Sequence, residues 1–287
     1  KSQFKNNPDK YLFIDNHLET NLKEGQIDLR FARCDENQKH KFLTIIQNHL
    51  IEEKEFSYIR LSDGEGHLFS DSYFTHQDCL NRERHWWGKE LKNKQRDKLR
   101  NDLKISLNNA DAIGIPSVFR FMRDLSQNME IMERFFLRGL FSILKEYKTY
   151  TRNAKIITEE KANLFLFELE NVKRLAETAK HVVIISSLSK EIINAIFGTL
   201  SNKFDNIQIP PHKYTEGGEG YSKKSTKNFG ESYENFYKKI NEIVKKGTLV
   251  IVAAGYAGKV LINKSKLAGG IAIDVGESID RWRDEII

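Results

Sequence analysis

Apolar positions along the chain fall into two alternating kinds of segment. One kind is short and apolar almost throughout, over 56–61, 110–116, 155–158, 181–186, 206–209, 248–253 and 270–275. Such runs, bounded by Gly, Pro, Ser or Asp, predict strands buried on both faces. The other kind is longer and repeats at the helical period. From Gln38 onward Phe42, Ile45, Ile46 and Leu50 recur on one side, with Leu43 and Ile51 widening the face. Leu91, Leu99, Leu103 and Leu107 predict a second helix over 89–108. Helical runs near 129–148 and 160–179, and helix-length segments at 189–203 and 233–246, separate the later strands. Apolar strands alternating with helices predict an α/β fold, a mainly parallel Rossmann-like sheet with helices on both faces.

Two segments break this alternation. Residues 1–39 are rich in Asn, Lys, Asp and Glu, with one apolar patch at Tyr11, Leu12, Phe13 and Ile14. They read as an N-terminal extension that packs only in part, leaving 40–287 as the folded domain. Residues 210–228 combine glycines, hydroxyls and four lysines with almost no apolar content. A loop of that length is either functional or without fixed structure, and a mobile flap over a strand-end cleft is the preferred reading.

Composition narrows the class. Of 287 residues 39% are hydrophobic and 30% charged, but 18 Phe and 10 Tyr supply a core and argue against disorder. No apolar run approaches the roughly 20 residues that cross a bilayer. The first residues do not read as a secretory signal, and the start at Lys1 rather than Met is consistent with a piece of a longer protein. Cys34 and Cys79 have no C-x-x-C spacing, so no disulfide framework or zinc signature is expected, which fits a reducing cytoplasm. Both read as plain thiols, although Cys79 lies between His76 and Arg82, where a lowered thiol pKa stays open. Net charge is +6 and the pI about 9.0. Such a balance suits nucleic acid, an anionic lipid surface or anionic substrates. No nucleic-acid recognition motif is legible, so nucleic acid is not expected as a partner. Lys89, Lys92, Lys94, Arg96, Lys98 and Arg100 read as a solvated helix face, with peripheral contact to an acidic inner-membrane surface as the other reading.

Chemistry concentrates where strands stop. The first strand ends in Arg60-Leu61-Ser62-Asp63-Gly64-Glu65-Gly66-His67. With extended backbone, Asp63 and Glu65 project to one side and suit a hard divalent cation, while Arg60 suits a phosphate. Gly64 allows a tight turn and close approach of a ligand. Ser-Asp-Gly is also ordinary turn chemistry. After 181–186 come Ser186, Ser187 and Ser189, hydroxyls entering a helix that either cap it or hold a phosphate. After 248–253 comes Gly255-Tyr256-Ala257-Gly258-Lys259, which is not a P-loop because Ala253 and Val260 stand at the positions that motif reserves for glycine and a hydroxyl. It reads as a generic phosphate turn or a plain helix entry. Asp274 ends the last strand, either paired inside the fold or facing the cleft. Asp274 and His67 are the candidate bases, and a structural role competes for His67.

These motifs, with Gly114-Ile115-Pro116 and Ala272-Ile273-Asp274-Val275-Gly276, resemble in order the GT-D type of bacterial glycosyltransferase over about residues 40–282. The resemblance implies a metal-dependent transfer of sugar from a nucleotide-diphosphate donor, with a UDP-sugar favoured, to a bacterial surface glycan or glycoprotein. It places Asp63 and Glu65 on Mn²⁺ or Mg²⁺ and the donor diphosphate, with Arg60 in support. Gly255 and Gly258 would lie under the nucleotide, and Asp274 would close the site. Ser62 stands where the family has glycine, and Ser186-Ser187-Leu188-Ser189 replaces its glycine-rich, Ser-Arg-containing turn. The alternative is a non-catalytic phosphosugar or nucleotide-binding module of a larger assembly enzyme.

Overall fold

The computed structural model describes residues 23–30, 35–69, 74–117, 120, 138–143, 146, 153–213, 218–219 and 229–286. The apolar patch at 11–14, Cys34, most of the 129–148 helical run and most of the 210–228 loop lie outside them.

The described strands form one eight-stranded sheet, and every pairing in it is parallel. In chain order the strands are β1 (Ile27–Leu29), β2 (Phe56–Arg60), β3 (Ala112–Ile115), β4 (Ile156–Glu159), β5 (His181–Ser186), β6 (Phe204–Gln208), β7 (Thr248–Ala253) and β8 (Ile271–Asp274). Across the sheet they run β1-β4-β3-β2-β8-β7-β5-β6. The fold is thus the parallel α/β architecture that the uniformly apolar strands imply. The strand at 206–209 starts earlier, at Phe204, because this edge strand alternates exposed and buried positions instead of being apolar throughout.

The intervening helices are α1 (Glu36–Ile51), the single turn α2 (Gly66–Phe69), α3 (His76–Trp87), α4 (Asn93–Asn108), α5 (Asn163–Leu166), α6 (Leu169–Thr178), α7 (Lys190–Phe197), α8 (Phe229–Ser232), α9 (Tyr237–Ile243), α10 (Gly255–Leu267) and α11 (Ser278–Asp284). Alternation along the central strands feeds two cores. Val183, Ile185, Val250, Val252 and Ala272 pack with Leu99, Leu103 and Leu107 of α4, Ile240 of α9, and Leu261 of α10. Val182, Ile184, Leu249, Ile251, Ile271 and Ile273 face the other way, toward α1, α6, α7 and α11.

Two segments differ from the pattern-based expectation. Part of the stretch read as an N-terminal extension is integral, since β1 pairs with β4 and α1 begins at Glu36, capped by Asp35. The polar residues there are cap and edge residues, which look like tail composition. The helix α3 has no apolar stripe, and its buried residues are Cys79, Arg82 and Glu83. It is specified by a capping box between Thr75 and Asp78 and by Gly88, left-handed at φ 78°. The buried Glu83 carboxylate is matched by Arg96 of α4 at 2.5 Å and by the Leu91 N–H at 2.7 Å.

Ile251 is fully buried between β5 and β8. Ile251→Ala leaves a cavity in the second core, and urea unfolding is expected to show a loss of about 2–5 kcal/mol.

Candidate functional site

The chain leaves β2, β8, β7 and β5 at the same edge of the sheet, because these neighbours are parallel. From β5 it enters α7 on one face, and from the adjacent β7 it enters α10 on the other. Divergent helices after adjacent strands leave a crevice, the place where open α/β sheets bind ligands. A cavity of about 540 Å³ lies there. Its wall is built from Arg60 at the end of β2 with Ser62, Asp63, Gly64 and Glu65 after it, Ser186 at the end of β5 with Ser187 after it, Gly255, Tyr256 and Lys259 after β7, and Gly276 and Glu277 after β8.

The Asp63-Gly64-Glu65 segment is a turn rather than extended chain. The Glu65 N–H donates to the Ser62 carbonyl and the Gly66 N–H to the Asp63 carbonyl, each at 3.3 Å. The expectation of extended backbone is corrected by this turn, and the two acids take separate partners. Asp63 accepts from Arg120 at 3.1 Å and from Arg82 at 3.2 Å, one guanidinium per oxygen. Glu65 accepts the Ser62 N–H at 2.7 Å and pairs with Lys259 at 3.1 Å.

Lys259 is the hub. Its ammonium also lies 2.9 Å from Asp274, whose other oxygen faces Arg60 at 3.3 Å. Arg60 continues the network to the Asn163 amide oxygen at 2.7 Å and the Glu160 carbonyl at 3.0 Å. Asn163 in turn donates to the Val275 carbonyl at 2.8 Å. Lys259, Glu65, Asp274 and Arg60 are all buried. Burial works to raise the Asp274 carboxyl, but Arg60 and Lys259 outweigh it and hold the group below its ordinary range. Burial raises Glu65 and prevails over Lys259 and the Ser62 N–H. Burial works to lower Lys259, yet Asp274 and Glu65 hold it above its usual value and charged.

Glycines set the close approaches. A Cβ on Gly276, at φ 50°, would stand 1.8 Å from the Arg60 guanidinium, so only glycine leaves that side chain its place. Gly139, in a helical run at 138–143, rests directly on the Asp63 backbone and on Gly66. Gly255, at φ 54°, has open space where a side chain would stand and faces the cavity. It opens α10, whose N-terminus has no side-chain cap among the described residues, and N–H groups at such a helix end are the donors an anion can use.

Of the residues singled out from the sequence, Arg60, Asp63, Gly64, Glu65, Ser186, Ser187, Gly255 and Lys259 share the cavity wall. Asp274 lies beneath it, inside the ion-pair network. Gly258 does not face the cavity; a side chain there would meet Ala254 and Val252, so it packs α10 onto β7. Ser189 caps α7 through the Ile192 N–H. His67 is buried behind the wall with Nδ1 2.9 Å from the Gly64 carbonyl, and burial, then Arg82, pushes its pKa down to about 3. It is a neutral packing residue between Phe74 and Tyr256, not a base reaching the cavity. Trp86, Arg120, Lys161 and His212 also line the cavity without having stood out. Arg120 follows the β3 strand end and His212 opens the long loop, positional signals that were legible. Trp86 sits in a helix with no pattern to mark it.

A divalent cation does not fit this donor set. Hard cations need several carboxylate or carbonyl oxygens with lone pairs converging at roughly 2.0–2.6 Å. Here the oxygens of Asp63, Glu65 and Asp274 are taken by Arg82, Arg120, Lys259, Arg60 and the Ser62 N–H. Among the described residues no group of three or more His, Cys, Asp or Glu could hold a metal. No helix among them is long and apolar enough to cross a membrane.

No protein-family model matches the chain, and no curated protein matches it. Among solved structures, the selenomethionine-substituted structure of domain of unknown function 1792 aligns at 16% identity and a TM-score of 0.48, over 91% of this chain and 82% of that one.

Asp274→Asn leaves two buried cations facing a neutral amide, and urea unfolding at pH 7 is expected to show a loss of about 3–5 kcal/mol. Because the native carboxyl is held below its unfolded value, the wild-type advantage is complete above about pH 5. It closes as pH falls through the depressed pKa, which a pH series on both proteins measures.

Proposed function

We propose that the chain is a glycosyltransferase that takes a sugar from a nucleoside-diphosphate donor, with a UDP-sugar the first candidate, and passes it to a glycan or glycoprotein. What carries this reading is the cavity at the strand switch, bordered by the uncapped N-terminus of α10 and by Arg60, Arg120 and Lys161. Helix N-terminal N–H groups and arginines are the usual partners of phosphate oxygens. The ordered run of motifs shared with GT-D enzymes supports the same assignment, and the work would then take place in the cytoplasm or at the inner membrane face. In this reading the chain's own groups bind the diphosphate and neutralise the charge that develops on it as it leaves. Trp86, Tyr256 and His212 form an aromatic border beside the phosphate end, suited to a planar base or a sugar ring.

One observation favours a second reading, a module that binds a sugar nucleotide without turning it over. The carboxylates on the cavity wall are each matched to a cation: Asp63 and Glu65 as above, Glu277 with Lys161, and Asp280 with Arg283 at 3.7 Å. Release of nucleoside diphosphate from a bound donor, followed with and without added acceptor glycan, separates the two. Turnover supports the transferase, and tight binding with no release over hours supports the module.

A panel of sugar nucleotides is expected to raise the melting temperature, with uridine diphosphates strongest. Gly255→Asp tolerates the left-handed backbone but places a carboxylate among the N–H groups. It is expected to weaken donor binding by about tenfold or more with the fold retained. No stabilisation by any nucleoside diphosphate would sink the assignment.

A further inference from the structure

We propose that the site holds its diphosphate without a divalent cation, tethered cations standing where the acidic motif would otherwise recruit a metal. This rests on the nucleoside-diphosphate reading and deepens it.

The Lys259 ammonium sits between Glu65 Oε1 at 3.1 Å and Asp274 Oδ2 at 2.9 Å, buried on the first turns of α10. That is the place between acids from two strand ends where a shared ion would stand. An ammonium so placed engages the lone pairs a metal would need and repels any second cation brought to the same oxygens. The position is enforced from several sides. Arg60 holds the far oxygen of Asp274, and the Ser62 N–H holds the far oxygen of Glu65. Asp63 is fully engaged by Arg82 and Arg120, and Arg120 is pinned further by Glu160 at 3.1 Å.

The same groups suit an anion. Lys259 and Arg120 both border the cavity, alongside the first turn of α10, which has no side-chain cap among the described residues. A phosphate reaching Arg120 exchanges one carboxylate partner for another anion, so the guanidinium is already oriented when the ligand arrives. Asp63 then acts as the placeholder that keeps Arg120 extended at the cavity wall, with Arg82 holding the other carboxylate oxygen from behind.

The test is calorimetric titration of UDP into the whole chain, once in EDTA and once in Mn²⁺, with Mn²⁺ binding to the ligand-free protein followed by electron paramagnetic resonance. The expected result is UDP affinity equal within about threefold in the two buffers and no stoichiometric Mn²⁺ binding below the millimolar range. Lys259→Met should lower UDP affinity by about tenfold or more in EDTA. Arg120→Gln, away from the buried hub, provides the same readout if Lys259→Met fails to fold. UDP binding that appears only with Mn²⁺, or tight Mn²⁺ binding by the free protein, overturns metal independence while leaving the donor reading intact. Absence of UDP binding in both buffers overturns the donor reading and this proposal together.

Discussion

One ammonium between two carboxylates organises the cavity-bearing edge of this sheet. Lys259 ties α10 to the turn after β2 through Glu65 and to the end of β8 through Asp274. Charges this deeply buried are costly to desolvate, and their mutual attraction offsets that cost only when the remaining donors and acceptors are also satisfied. Here both acids have further partners: Arg60 on Asp274, and the Ser62 N–H on Glu65. The cluster is therefore better understood as a device that fixes geometry than as a source of net stability. Removing a member exposes the full desolvation cost of those left behind.

Charge pairing extends outward from that hub in a consistent pattern. Arg60 links it to Asn163 and hence to the backbone at Val275, binding α5 to the chain that leaves β8. Arg120 links Asp63 to Glu160, across the ends of β2 and β4. Behind them Glu83 and Arg96 join α3 to α4 with both side chains almost wholly buried. The rim of the cavity is thus a set of charges held in place by partners from several segments before anything enters it.

The strands were legible because a strand covered on both faces must be apolar at consecutive positions. Val182, Val183, Ile184 and Ile185 are all fully buried and announce β5 without ambiguity. The amphipathic helices were legible for the complementary reason: Leu99, Leu103 and Leu107 repeat on one side of α4. The helix α3 escaped because its inward face is charged, and charge in sequence looks like solvent exposure until its partner is known. β1 escaped because three residues at a sheet edge carry too little pattern.

For the site, the sequence by itself determined which residue types gather at the strand ends, and parallel topology alone then brings those ends to one edge. It could not determine pairing. Whether Asp63 and Glu65 share a metal or take separate cations depends on a turn of a few residues and on Arg82, Arg120 and Lys259. Those arrive from three other segments of the chain, so the decision belongs to packing. Local backbone preference sets where a carboxylate is offered. Only the tertiary structure decides which cation reaches it first, because that contest is settled by distance and burial between residues far apart in sequence.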